Sequence, residues 1–171
     1  NVNTNGGAIS VTSSVTSQLA SNSNSGGILG GNITVDVSTT TAIYANGGDI
    51  TVSTSSVGLL DSTSPTAGIA GGDITIANPI STIPSITTNG GDVTLNNVTV
   101  IGDITANGNT GGVSAGAIII EFSTTTAIYA NGGTHSSGNG GHGATITIST
   151  STTGLIEASG ADSTGDGGDG G

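Results

Sequence analysis

Isoleucine and valine alternate with threonine along short stretches of this chain: Ile33-Thr34-Val35, Ile50-Thr51-Val52, Ile74-Thr75-Ile76, Val93-Thr94-Leu95 and Ile146-Thr147-Ile148, with Ile104-Thr105-Ala106 as a weaker echo. Period-two alternation of β-branched residues predicts short strands with one buried and one solvated face. Glycine pairs punctuate the strands at Gly6-Gly7, Gly26-Gly27, Gly47-Gly48, Gly71-Gly72, Gly90-Gly91, Gly111-Gly112 and Gly132-Gly133, in steps of 20, 21, 24, 19, 21 and 21 residues. Glycine adopts sharp-turn backbone angles that residues with a Cβ reach only at a cost. A turn and short strands recurring about every 20 residues predict one coil of a β-solenoid.

One such coil buries too few aliphatic side chains to offset the entropy of ordering it, so coils must stack and share hydrogen bonds. The expected fold is all-β, a parallel β-helix with about 20 residues per coil and roughly eight coils. At about 4.8 Å per coil, its rod would be about 40 Å long. The expected inner ladder runs through Ile9, Ile33, Ile50, Ile74, Val93, Ile118 and Ile146, and the outer one through Ser10, Thr34, Thr51, Thr75, Thr94 and Thr147. Frequent Gly and β-branched residues disfavour helix throughout.

A longer repeat overlies the coils. The eleven residues Ser38 to Gly48, STTTAIYANGG, recur as Ser123 to Gly133, 85 positions later. Ile33, Val35, Asp36 and Val37 align with Ile118, Ile120, Glu121 and Phe122 at that offset, and Asn5-Gly6-Gly7 aligns with Asn89-Gly90-Gly91. Farther on the offset is 96, so the second copy carries about eleven extra residues, a loop insertion near 134–144. The expected organisation is a single β-solenoid domain over 1–171, with super-repeat 1 at about 5–88 and super-repeat 2 at about 89–171. Gly167-Gly168-Asp169 aligns with Gly71-Gly72-Asp73, where a strand follows. The expectation from this is a segment of a longer chain, or a subunit whose end docks on the next.

Composition narrows the partners. The chain has no Lys, no Arg and 11 acidic residues, for a formal charge of −11, yet only 6% of its residues are charged. Nucleic acid is not an expected partner, because phosphate binding needs Lys and Arg. Membrane insertion is not expected either, since no apolar run approaches the ~20 residues of a spanning helix. The absence of Cys and Met removes the most oxidation-prone side chains, and the absence of Lys and Arg removes every trypsin site. Both suit an extracellular or cell-surface location.

The recurring Gly-Gly-[Asp/Asn]-[Ile/Val]-Thr coils, as in Gly48-Asp49-Ile50-Thr51 and Gly91-Asp92-Val93-Thr94, resemble the filamentous-haemagglutinin type of β-solenoid over most of residues 5–160. That resemblance implies secretion, a right-handed parallel β-helix, and a role in adhesion or matrix formation within large bacterial surface proteins.

Chemistry is sparse. Asp49, Asp73 and Asp92 each follow a glycine pair, and stacked together they could hold calcium or accept hydrogen bonds from turn amides. Asp166 and Asp169, in a glycine-rich stretch, are either a further weak calcium candidate or part of a flexible terminus. The calcium-roll nonapeptide GGxGxDxUx fits Gly140-Gly141-His142-Gly143-Ala144-Thr145 poorly, because Thr stands where the carboxylate belongs. His135 and His142, without Cys, make a poor metal site. No nucleophile elbow or triad-like grouping is visible, so no catalytic residue is expected. Nor is a cofactor expected, beyond calcium at those carboxylates. Asn32 and Asn97 open Asn-x-Thr sequons and are glycosylation candidates.

These readings converge on a non-enzymatic extracellular protein that forms or extends a surface filament, sheath or adhesin stalk. Its partners would be its own copies, head to tail, or flanking repeats of a longer chain. Cell-surface glycans are a further candidate partner if the segment is an adhesin. The outward Thr ladder adds an ice-binding alternative, with Ile119 interrupting the array.

Overall fold

The computed structural model describes residues 1–23, 29–79 and 81–171. The glycine pair at 26–27 lies outside the described residues. Among the described residues fifteen short strands follow one another: β1 (Val2–Asn5), β2 (Ile9–Thr12), β3 (Gln18–Asn22), β4 (Ile33–Asp36), β5 (Thr39–Tyr44), β6 (Ile50–Ser53), β7 (Ser56–Asp61), β8 (Ile74–Ala77), β9 (Ile86–Thr87), β10 (Val93–Asn96), β11 (Asp103–Thr105), β12 (Ile118–Glu121), β13 (Ala127–Tyr129), β14 (Ile146–Ser149) and β15 (Leu155–Glu157). Odd-numbered strands form one eight-stranded sheet and even-numbered strands a seven-stranded sheet. Every pairing is parallel and joins a strand to the next of its own sheet. The chain is a parallel β-helix that alternates between two sheets with each half-coil.

Three aliphatic columns run the length of the space between the sheets, and Val57, Ile83 and Val100 add a shorter one. In the even sheet, Ile9, Ile33, Ile50, Ile74, Val93, Ile118 and Ile146 stand in one register, the inner ladder expected from the sequence. Two positions on, Val11, Val35, Val52, Ile76, Leu95, Ile120 and Ile148 form a second column. The odd sheet contributes Leu19, Ile43, Leu60, Ile86, Ile104, Ile128 and Ile156. In the middle coils all three columns are buried, and they form one continuous hydrophobic cluster. Like residues stack because each coil offers its neighbour the same pleated surface.

The first inward residues of the even strands are 24, 17, 24, 19, 25 and 28 positions apart. Most of the variation sits at one place, with two further residues between β8 and β9 and one between β10 and β11. A backbone hydrogen bond closes the coil where the odd strand ends: Gly48 N donates to Ala45 O, Gly72 to Ser62, Gly116 to Ala106, and Ala144 to Ala130. The loop beyond this neck holds only Asn46 and Gly47 in the shortest coil, and 131–143 in the longest. The eleven extra residues of the second super-repeat lie in that loop. Gly111-Gly112 and Gly132-Gly133 belong to such loops, whereas the coil itself is marked by Gly31, Gly48, Gly72, Gly91 and Gly116. Backbone of the preceding coil passes where a side chain would start; a Cβ on Gly48 would meet the Gly31 carbonyl oxygen at 2.6 Å. Counting every glycine pair therefore yields an apparent spacing more regular than the true one.

The other corner, between even and odd strands, uses no glycine. Ser13, Val37, Thr54, Asn78, Asn97, Phe122 and Thr150, each directly after an even strand, all have left-handed backbone with φ between 43° and 56°. This costs about 1–2 kcal/mol for a residue with a Cβ, and local hydrogen bonds offset part of it. After five of these corners a serine hydroxyl donates to the carbonyl two residues back: Ser14 to Thr12 (2.9 Å), Ser38 to Asp36 (2.7 Å), Ser55 to Ser53 (2.6 Å), Ser123 to Glu121 (2.7 Å) and Ser151 to Ser149 (2.7 Å). The oxygens of Ser38, Ser55, Ser123 and Ser151 also accept backbone amides from the preceding coil, as from Ser38 N to Ser55 Oγ at 3.0 Å. Nothing in the pattern of apolar residues announces this corner.

Candidate functional site

The acidic column is the first candidate. Asp49, Asp73 and Asp92 are exposed and sit one residue before the inward Ile50, Ile74 and Val93. Asp49 Oδ1 accepts the Asp73 amide at 3.0 Å, Asp73 Oδ1 the Asp92 amide at 2.8 Å, and Asp92 Oδ1 the Ala117 amide at 2.8 Å. Asn32 begins the series: its Oδ1 accepts the Asp49 amide at 3.0 Å and its Nδ2 donates to Asp49 Oδ2 at 3.1 Å. One oxygen of each carboxylate thus holds the amide beside the next coil's glycine turn. Asn32 does the same with no charge, so the position requires an acceptor and not an anion. Among the described residues no three His, Cys, Asp or Glu side chains form a group able to hold a metal ion.

The structure joins Asp166 and Asp169 to the long loop at 131–143. The Asp166 amide donates to Asn139 Oδ1 at 3.2 Å, and the Asp169 amide to His142 Nδ1 at 2.9 Å. The Asp169 carboxylate lies 3.7 Å from His142 Nδ1, with both side chains largely in water. His135 Nδ1 accepts the Ser137 amide at 3.1 Å. Each histidine thus spends a ring nitrogen on a different backbone amide.

The sequon asparagines are exposed but engaged. Asn32 uses both amide atoms on Asp49, and Asn97 occupies a left-handed corner (φ 56°) with Nδ2 on Asn78 Oδ1 at 3.0 Å. Tyr44 and Tyr129 share one column of the odd sheet with Ala20, Asp61, Thr87, Thr105 and Glu157, and stand four coils apart. The outward column of the even sheet runs Ser10, Thr34, Thr51, Thr75, Thr94, Ile119 and Thr147. Asp36 and Glu121 lie in the next outward column, where Asp36 accepts the Ser53 hydroxyl at 2.6 Å and Glu121 accepts Asn96 Nδ2 at 3.2 Å.

The end coils differ from the middle. Leu155 is 56% and Ile156 45% exposed, while Ile128, the register partner of Ile156, is fully buried. Even-sheet Ile148 is likewise exposed over a buried Ile120. The strands β14 and β15 each have a neighbour on one side only. The face that closes the described ladder therefore presents apolar side chains and unpaired strand edges together.

The chain matches no family model, no curated protein and no solved structure.

Proposed function

We propose that the protein is a non-enzymatic structural element of an extracellular filament, sheath or adhesin stalk, lengthened by stacking further coils on its ends. One observation carries this reading: both sheets run in unbroken register and end on an apolar face with free strand edges. Free edges of this kind template further pairing, and apolar surface recurring at every coil repays that pairing. A second copy laid on that face would continue both sheets. The carboxylates already serve amides within the ladder, which suits a scaffold better than catalysis. The resemblance to haemagglutinin-type solenoids and the lack of protease-sensitive basic residues favour a surface location.

Negative-stain electron microscopy over a concentration series tests the reading. Rods with a continuous axial repeat and lengths that grow with concentration are expected. Isolated particles of one coil-stack length at all concentrations would count against assembly between copies. Intact-mass measurement of the native polypeptide then decides whether the coils continue within one chain. The threonine column supports a second reading, ice binding. Inhibition of ice recrystallisation that disappears in Thr51→Tyr and Thr75→Tyr would establish it, and no inhibition by the parent protein would dismiss it.

A further inference from the structure

Two of the seven left-handed corners carry a large apolar side chain in solvent. Val37 (φ 46°) is 55% exposed and Phe122 (φ 49°) is 61% exposed. β-Branched and bulky residues are the least suited to this backbone region. Exposure denies both of them a compensating burial. Asparagine occupies the same corner twice, at Asn78 and Asn97, and there adds a side-chain bond of 3.0 Å between coils. Residues held against their conformational preference without a packing return point to function.

The placement is systematic. Val37 and Phe122 are equivalent positions in the two super-repeats, four coils apart, which at about 4.8 Å per coil puts them about 19 Å apart along the axis. Each directly follows an acid, Asp36 or Glu121. Each is accompanied by another exposed aliphatic residue. Val15, 84% exposed, shares with Val37 a surface hollow of about 330 Å³ bordered by Thr39 and Thr54. Ile119, also exposed, precedes Glu121 by two residues on the outward side of β12.

We propose that this flank docks a cationic polypeptide that sets an apolar side chain beside a Lys or Arg at two points about 19 Å apart. Charge complementarity identifies the partner. Each site pairs a carboxylate with apolar surface, and the chain has no Lys or Arg with which a second copy could answer it. The sites lie along the side of the solenoid, so docking does not depend on end-to-end assembly. Engaging both sites at once raises the effective concentration of the second contact.

The test uses a fluorescent synthetic peptide bearing two Leu-Lys pairs joined by a Gly-Ser linker long enough for that span, titrated against the protein and followed by anisotropy. Val37→Asn, Phe122→Asn and the double variant keep a residue suited to the left-handed corner, so the fold is preserved. The double variant should bind the peptide about tenfold or more weakly, with smaller losses for each single change. Added salt should weaken binding, and a Leu-Glu peptide should not bind. Melting midpoints of the variants should equal or exceed that of the parent. The proposal is overturned by failure of the Leu-Lys peptide to bind, by undiminished binding to the double variant, or by equal binding of the Leu-Glu peptide. Lower midpoints in both single variants would also overturn it, because the side chains would then be structural. So would self-association abolished by the double variant, because the occupant would then be a second copy.

Discussion

Thr125 offers a direct test of how the core is built. It is 4% exposed, and its Oγ1 is buried with no hydrogen-bond partner. Its backbone is in order, with the amide donating to Thr152 O at 2.9 Å, so the fault lies in the side chain alone. The register of the preceding residue, Thr99 with Thr124, places Thr125 above Val100, which itself follows Ile83. Thr125 thus stands in an inward column with the buried Val100 and Ile83 before it and the half-buried Thr153 after it. A buried hydroxyl without a partner costs about 1–3 kcal/mol. Thr125→Val replaces it with a methyl of nearly the same shape and keeps the β-branched preference for strand. The expected gain is about 2 kcal/mol, which in a chain of this size raises the melting midpoint by about 4–8 °C. Thermal and guanidinium unfolding followed by far-ultraviolet circular dichroism would measure it. Thr124→Val, at the exposed neighbour, is the control and should change stability by no more than about 0.5 kcal/mol. A T125V midpoint equal to or below that of the parent, or an equal gain in T124V, would refute the reasoning.

Further outcomes follow from the ladders. Asp73→Asn should leave stability unchanged or slightly raised, as Asn32 already fills this role uncharged, whereas Asp73→Ala should cost about 1 kcal/mol by orphaning the Asp92 amide; equal losses in both would show that charge is what matters. Gly48→Ala should lower stability by about 3 kcal/mol in the same unfolding assay, because its Cβ would meet backbone that no side-chain rotation can clear; a neutral result would contradict the coil contact. Added sodium chloride should raise the midpoint, because a chain with 11 acids and no Lys or Arg is held together against its own repulsion. Chelator should leave the midpoint unchanged at constant ionic strength, and a fall would reveal a structural cation on the carboxylates.

The alternation with Thr was enough to place Ile33, Ile50, Ile74, Val93 and Ile146 inward, because a period of two leaves only one face to bury, whereas Ile118, in a run of three isoleucines, needed the 85-residue offset from Ile33. The same reasoning reached Asp49, Asp73 and Asp92 as a stacked set but could not choose between a cation and a neighbouring amide, since that choice depends on where the next coil's backbone passes. His142 and Asp169 meet only because the loop at 131–143 receives the final residues along its side, a contact with no local signature. The glycine pairs were ambiguous for a related reason: backbone of another segment crowds glycine both at a neck, as at Gly48, and in a loop, as at Gly133 against the Asn109 carbonyl.

By itself, then, the sequence determined a stack of parallel coils and the identity of the first aliphatic column, because strand periodicity and burial are local and repeat with the chain. Only the tertiary structure decided which glycines close each coil, that the opposite corner is left-handed and braced by serine, and that Val37 and Phe122 stand strained in solvent. Those features depend on the backbone of one coil lying against the next, and that proximity is a property of the wound chain.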